Sequence, residues 1–256
     1  MFSRPQNLRQ PQAPETGSRK HGTLRRGVVE HLLAMLDRVP GLGGGRTQLV
    51  FLSLFFGMSL SLYLTVLRLR GPAVAFRTRL GWDSAFPFTP WWVWVYLLPY
   101  VLGPLLTLVM SRTAFAWYVR RGTLVVLVSL VIFAAVPTQT VRPLQDDPAS
   151  ADRLGEGWTA DLYRWMVEID DPPANAAPSL HVSLSCLLAW AMAYDFPGWW
   201  TASAAGAVVI WLSTLYTAQH HLIDVLTGAL LASLAAIGGP HNASPPVQAG
   251  SPDCTA

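Results

Sequence analysis

Apolar positions along this chain do not alternate as in a half-buried strand, nor do they form the single stripe of a helix in a water-soluble protein. They fall into long unbroken runs separated by short polar stretches. A run of about 17 to 25 apolar residues is long enough to cross the hydrocarbon layer as a helix. The runs predict spans at 48–67, 91–110, 122–137, 179–196, 199–216 and 222–238. The fold class that follows is all-α, a polytopic membrane helix bundle with about six transmembrane helices. Trp91, Trp92, Trp94, Tyr96 and Tyr100 stand near the start of the second span, where indole and phenol rings favour the headgroup interface. Pro99 and Pro104 are expected to kink it. The fully apolar part of the third run, 124–136, is short, so extra turns are expected at either end.

The flanks read differently. Residues 1–22, with Pro5, Pro11, Pro14, Gln6, Gln10 and Gln12, have the composition of a disordered cytosolic tail. At 23–39 the apolar residues Leu24, Val28, Leu32, Met35 and Leu36 recur at helical spacing with Arg25, Arg26, Glu30 and Arg38 off the stripe, which predicts an interfacial helix. Glycines at 41 and 43–45 complete a linker to 46, the membrane domain occupies 47–239, and a Pro/Ser/Gly tail fills 240–256. The first 46 residues contain no continuous apolar region, so no cleaved leader is expected. Between the third and fourth spans, Leu162, Trp165, Met166 and Ile169 predict a short amphipathic helix within 157–171. Such a helix either lies on the membrane and gates lipid access or simply packs on the spans.

Composition agrees with this reading: 52% of residues are hydrophobic and 13% charged. Residues 1–47 hold eight of the eighteen Lys and Arg. Their scatter among Pro, Gln and Gly suits a lipid-facing arm and excludes a nucleic-acid-binding motif. With the amino terminus inside, Arg112, Arg120 and Arg121 bring the inner count to eleven; Arg68, Arg70, Arg77, Arg79, Arg142, Arg153 and Arg164 make seven outside. Both termini are therefore expected in the cytosol. Cys186 and Cys254 form no disulfide framework, and the glycosylation-like triplet at Asn242 follows the last span on the inner side.

Polar residues at the span ends carry the candidate chemistry, since ionisable groups there are costly and functional by default. Three clusters stand out: 137–143 with Gln139 and Arg142, Pro178 to His181, and Ser213 through Tyr216, Gln219, His220 and His221 to Asp224. Alternating helices bring all three to one membrane face. Pro178 and Ser179 stand where a helix N-terminus can receive an anion. Arg142 offers a planar fork to a phosphate, or is a snorkelling surface arginine. His220 and Asp224 are one helical turn apart, so the carboxylate can orient the imidazole for nucleophilic attack. His221, three residues before Asp224, competes with His220 for that role. A two-histidine, one-carboxylate metal site is a different reading of His181, His220 and Asp224.

Pro178-Ser179-Leu180-His181, and Ser213 with His220 seven and Asp224 eleven residues on, resemble the type 2 phosphatidic acid phosphatase and haloperoxidase superfamily. Its motifs read K-x6-R-P, P-S-x-H and S-R-x5-H-x3-D. The resemblance implies that His220 attacks phosphorus and becomes a phosphohistidine, Asp224 orients it, His181 protonates the leaving oxygen, and Arg142 and Ser179 bind phosphate oxygens. It implies no metal or other cofactor, and a lipid phosphate or phospholipid as the substrate partner. Two motif cations are replaced, by Ala135 and Thr214. Gln139, Tyr216, Gln219 and His221 are candidate substitute donors. The forms Pro-Ser-Leu-His-Val and Tyr-Thr-x-x-His-His-x-x-Asp, with the stretch 87–92, are similar to the branch containing fungal inositol phosphorylceramide synthase. The expected function is a membrane lipid-phosphate phosphatase or phosphotransferase, with headgroup transfer or a catalytically degenerate transporter or scaffold as alternatives. The expected location is a bacterial inner (plasma) membrane with the site on the outer face.

Overall fold

Every long apolar run is helical in the computed structural model, which describes residues 45–70, 76–142, 148–169 and 174–239. The expected tails and the interfacial helix at 23–39 lie outside these residues, as does Pro143. Eight α-helices are formed among the described residues: α1 (Gly45–Arg70), α2 (Val93–Leu108), α3 (Arg112–Ala135), α4 (Pro148–Leu154), α5 (Trp158–Ile169), α6 (Leu180–Asp195), α7 (Trp200–Tyr216) and α8 (Leu222–Ala236). Two short strands, β1 (Phe76–Arg77) and β2 (Thr138–Gln139), pair in parallel, and Gln139 bridges Ala174 on its other side.

α2 contains both Pro99 and Pro104, as the second apolar run predicts. One helix differs from the hydropathy reading. α3 begins well before 122, because Ser111 caps it by accepting the Ala114 N–H, and all its extra turns lie at this end. Arg120 is accommodated within the helix by donating from Nε to the Ala116 carbonyl. At the other end, Val136 leaves the helix just before Pro137.

By length and composition, Val50–Leu69, Pro90–Leu108 and Arg112–Ala135 are each able to cross a membrane. The other three long helices have 16, 17 and 15 residues. At 1.5 Å per residue they reach about 22 to 26 Å. α6 is the hub of the bundle, packed on α7, α3 and α8. Its Leu187 and Ala191 share a core with Phe115, Trp117, Tyr118 and Val125 of α3 and Ala232 and Ala235 of α8. The α6–α8 joint depends on Gly228, where an added Cβ would lie 2.6 Å from the Ser179 carbonyl oxygen. Small residues at such a joint let two backbones approach closely.

Chain direction alternates along the bundle, which gives it two distinct ends. At one, the turn before α3 meets the end of α6, with Asp195 accepting from Ser111 N–H and Oγ at 2.6 and 2.7 Å. At the other, β1 and β2 cap the starts of α6 and α8. Exposed indoles mark both ends: Trp82, Trp91, Trp94, Trp158 and Trp165 at the capped end, Trp199 and Trp200 at the opposite one. Between them the outward surface is apolar; on α8, Leu226, Leu230 and Leu234 are exposed while Gly228, Ala232 and Ala235 are buried. The small residues of α8 thus face the bundle, where they let backbones approach closely, and its large apolar residues face outward.

Candidate active site

Ser179 anchors the frame that holds the site. It is the N-cap of α6, its Oγ accepting from Val182 N–H, and its own N–H donates to the Asp224 carbonyl of α8 at 3.0 Å. Ser183 adds a second link by donating from Oγ to the Gly228 carbonyl at 2.8 Å. These bonds hold the first turns of α6 and α8 together, and with them His181 and Asp224. His220 arrives from the turn that follows α7. There Ala218 takes a left-handed conformation (φ 51°), and the N–H groups of Gln219 and His220 both return to the Thr214 carbonyl at 3.1 Å. A left-handed alanine is mildly strained. Such strain is tolerated where neighbours over-determine the turn.

His220 Nδ1 lies 3.7 Å from Asp224 Oδ2. That is just beyond hydrogen-bond reach, a spacing that catalytic pairs without substrate often show. Asp224 is fully buried. Its Oδ2 accepts from the His221 backbone N–H at 2.8 Å and from Thr78 Oγ1 at 3.2 Å, so the carboxylate is held from the capped side. The His221 ring turns to Thr78, 3.0 Å from its Nδ1. Burial holds the His221 imidazole below its ordinary value, against the opposing pull of Asp83 and Asp224 and with help from His220 and Arg79. Asp83 receives the Leu222 N–H at 2.7 Å and completes this layer.

The His220 ring faces His181, with ring centroids 6.3 Å apart. His181 stacks on Tyr96 of α2 at 4.2 Å, the Tyr96 hydroxyl lies 3.3 Å from its Nδ1, and Tyr100 meets its edge. Both histidines line one cavity of about 1360 Å³, which runs between α1, α2, α6 and α7 and is apolar over most of its length. Its polar end is formed by Thr140, Asn175, Tyr96, His181, Gln219 and His220; Trp165 and Ile169 of α5 border it. His181 Nε2, Asn175 Nδ2, Gln219 Nε2 and His220 Nδ1 are buried without a hydrogen-bond partner. Buried polar atoms are rarely left so.

The remaining candidates take other places. Arg142 is buried and outside the cavity lining; its Nη1 donates to the Val167 carbonyl in the last turn of α5 at 3.0 Å. Tyr163 on the same helix donates to the Thr217 carbonyl at 3.1 Å. Burial pushes its phenol up to about 12, against the smaller pull of Arg142 and the nearby Gln219 amide. Ser179 and Gln139 are also outside the lining, and the Gln139 carbonyl accepts the Thr78 N–H. Tyr216 stacks on Trp92, fixing the 87–92 segment that precedes α2. Thr214 is buried, its hydroxyl donating to the Trp211 carbonyl, and Ala135 is exposed at the end of α3. Among the described residues no three His, Cys, Asp or Glu side chains converge as metal ligands would.

Sequence reasoning missed Thr78, Tyr96 and Asn175 as parts of the site. Tyr96 was visible only as an interfacial aromatic, and Arg77 and Arg79 only as topogenic charges around Thr78. Asn175, three residues before Pro178, was the nearest to a signal. Compared with known proteins, the chain matches the family model described as the PAP2 superfamily over residues 81–238. No curated protein and no solved structure matches it.

Proposed function

The chain belongs to the PAP2 superfamily, and from that premise we propose that it transfers the phosphoryl group of a membrane amphiphile through His220. Membership supports a function of the phosphatase or phosphotransferase type. The observation that carries the finer reading is the cavity: two histidines face each other at the polar end of a long apolar channel. An acyl or prenyl chain fits the channel, which puts its headgroup beside the imidazoles.

His220 Nδ1 is directed to Asp224, which leaves Nε2 as the attacking atom. A bond forms from Nε2 to phosphorus as the bond to the leaving oxygen breaks, and His181 gives that oxygen its proton. In the second half, water or an alcohol gives its proton back to His181 while its oxygen displaces His220. The enzyme returns to its starting state. Tyr96 holds the His181 ring, and Asp224 stabilises the imidazolium form of His220 in the first step. We propose further that all six long helices cross the membrane, with both termini cytosolic and the site on the outer face.

The test uses full-length protein in detergent with a panel of labelled lipid phosphates, with and without diacylglycerol, ceramide or inositol as acceptors. Acid-labile, base-stable label is expected on His220, and His220→Ala should lower turnover by about 10³ or more. His221→Ala should keep the label. Label that survives in His220→Ala, or is lost in His221→Ala alone, would count against the assignment. Free phosphate identifies a hydrolase and a new lipid a transferase.

A further inference from the structure

The carbonyls at the end of a helix lack intrahelical partners and must find others. At the end of α7 they do so one by one. Ser213 accepts from Thr217 N–H at 3.0 Å, Thr214 from Gln219 and His220 N–H at 3.1 Å, and Leu215 from Ala218 N–H at 2.9 Å. Tyr216 accepts from Thr89 N–H at 2.8 Å. Thr217 accepts from the Tyr163 hydroxyl at 3.1 Å, a side chain 54 positions away on α5. The left-handed Ala218 comes next, and His220 two residues after it. At the His220 ring itself the hold is loose, since Nδ1 is 3.7 Å from Asp224 Oδ2 and has no hydrogen-bond partner. The backbone of the turn therefore sets the aim of the ring.

Tyr163 is placed to fix that backbone. Its side chain is fully buried, with its ring 5.0 Å from that of Phe88. It shares one core with Tyr96, which stacks on His181, and Ala218 packs against the same core. The supports of both histidines thus meet around one phenol. Arg142 and the Gln219 amide both act on that phenol, and Arg142 also holds the last turn of α5 through the Val167 carbonyl. Through Trp165, Met166 and Ile169 the same helix borders the cavity.

We infer that Tyr163 is a positioning residue: its hydroxyl locks the Thr217 carbonyl and thereby holds His220 in line for attack, facing His181. The inference rests on the phosphoryl-transfer reading above. Tyr163 is outside the cavity lining, so it acts through the turn and not on the phosphate. Without the hydroxyl, the Thr217 carbonyl is left buried and unpaired. The peptide between Thr217 and Ala218 then rotates toward another donor and carries His220 with it. A displacement of about 1 Å at a reacting group can cost about a hundredfold in rate. Binding of the lipid chain depends on the channel and is left intact.

Tyr163→Phe in the full-length protein removes the hydroxyl and keeps the ring against Phe88. In a single turnover, label from the lipid phosphate should reach His220 about tenfold to a hundredfold more slowly. KM should change little and thermal melting should stay close to wild type, whereas a general loosening of the fold would move both. A second readout is a cycle with Asp224→Asn, because the two substitutions free the same ring. Tyr163→Phe should cost much less in that background than in the wild-type protein. If Tyr163→Phe does not fold, Phe88→Leu takes its place; it frees the ring and keeps the hydroxyl, and the same effects are expected in smaller size. Labelling at the wild-type rate in a folded variant, a loss confined to KM, or full additivity with Asp224→Asn overturns the inference and leaves the histidine mechanism standing. Label that forms elsewhere than on His220 removes that mechanism, and this inference with it.

Discussion

Thr78 Oγ1 lies within reach of Asp224 Oδ2, His221 Nδ1 and the Gln139 carbonyl. A carboxylate is the strongest acceptor of the three, so it takes the threonine hydrogen. Oγ1 then accepts from His221, whose proton is thereby fixed on Nδ1. Thr78→Val removes both bonds at constant shape and should lower kcat about tenfold with little change in KM, measured on whichever lipid is turned over. A KM effect with kcat unchanged would show that Thr78 does not act through Asp224. His221 carries a pH consequence. Its folded value lies below the ordinary imidazole value of about 6.5, so the unfolded chain takes up its proton more readily than the folded one. Stability is therefore full above that value and lost as pH falls through it. Melting temperature should drop between about pH 7.5 and 5, and His221→Asn should flatten the drop. At this scale the sequence was legible where spacing alone carries a relation: His220 and Asp224 are one turn apart whatever the fold. Thr78, Tyr96 and Asn175 were not, since their neighbours are distant in the chain and outside any shared helical period.

Helices were legible as apolar runs, and their ends less so. The start of α3 was hidden because Arg112, Arg120 and Arg121 read as loop charges, although a helix end can carry arginine when its stem packs and its head reaches a carbonyl or water. Nothing in hydropathy marked Gly228 either. A methyl group there would meet the Ser179 carbonyl and push α6 from α8, disturbing the Ser183 bond and the start of both helices. Gly228→Ala should cost roughly 1–3 kcal/mol of stability and depress turnover more than its melting temperature alone would explain. Retained turnover at wild-type stability would show that the joint can yield. α5 is the helix whose two faces differ most. Ala160, Tyr163 and Met166 are buried, while Trp158, Trp165 and Ile169 are exposed. Arg142 at its last turn and Tyr163 at its centre tie it down.

Among the described residues the helix bundle is apolar outside and polar at one capped end. Direction of travel through the bundle follows from helix order, which the sequence supplied; the side of the membrane each end occupies depends on a cation bias of eleven to seven, which no packing interaction reinforces. The exposed α8 stripe makes the lipid-facing reading testable. Leu230→Arg places a charge in the middle of that stripe, where insertion is disfavoured by about 2.5–3.5 kcal/mol. Membrane-integrated protein, measured by alkaline extraction, should fall sharply, whereas in a water-soluble bundle the same substitution would be harmless.

Five exposed tryptophans surround the end that holds the two histidines. Indole rings settle at the level of lipid headgroups, so on the proposed lipid-phosphate reading the imidazoles would stand at the depth where lipid phosphates lie. Such a substrate would have no vertical distance to travel and would arrive by diffusing sideways in two dimensions, its chain never leaving hydrocarbon. Rates should accordingly follow the mole fraction of substrate in the surface, and fall when inert lipid is added at constant bulk concentration.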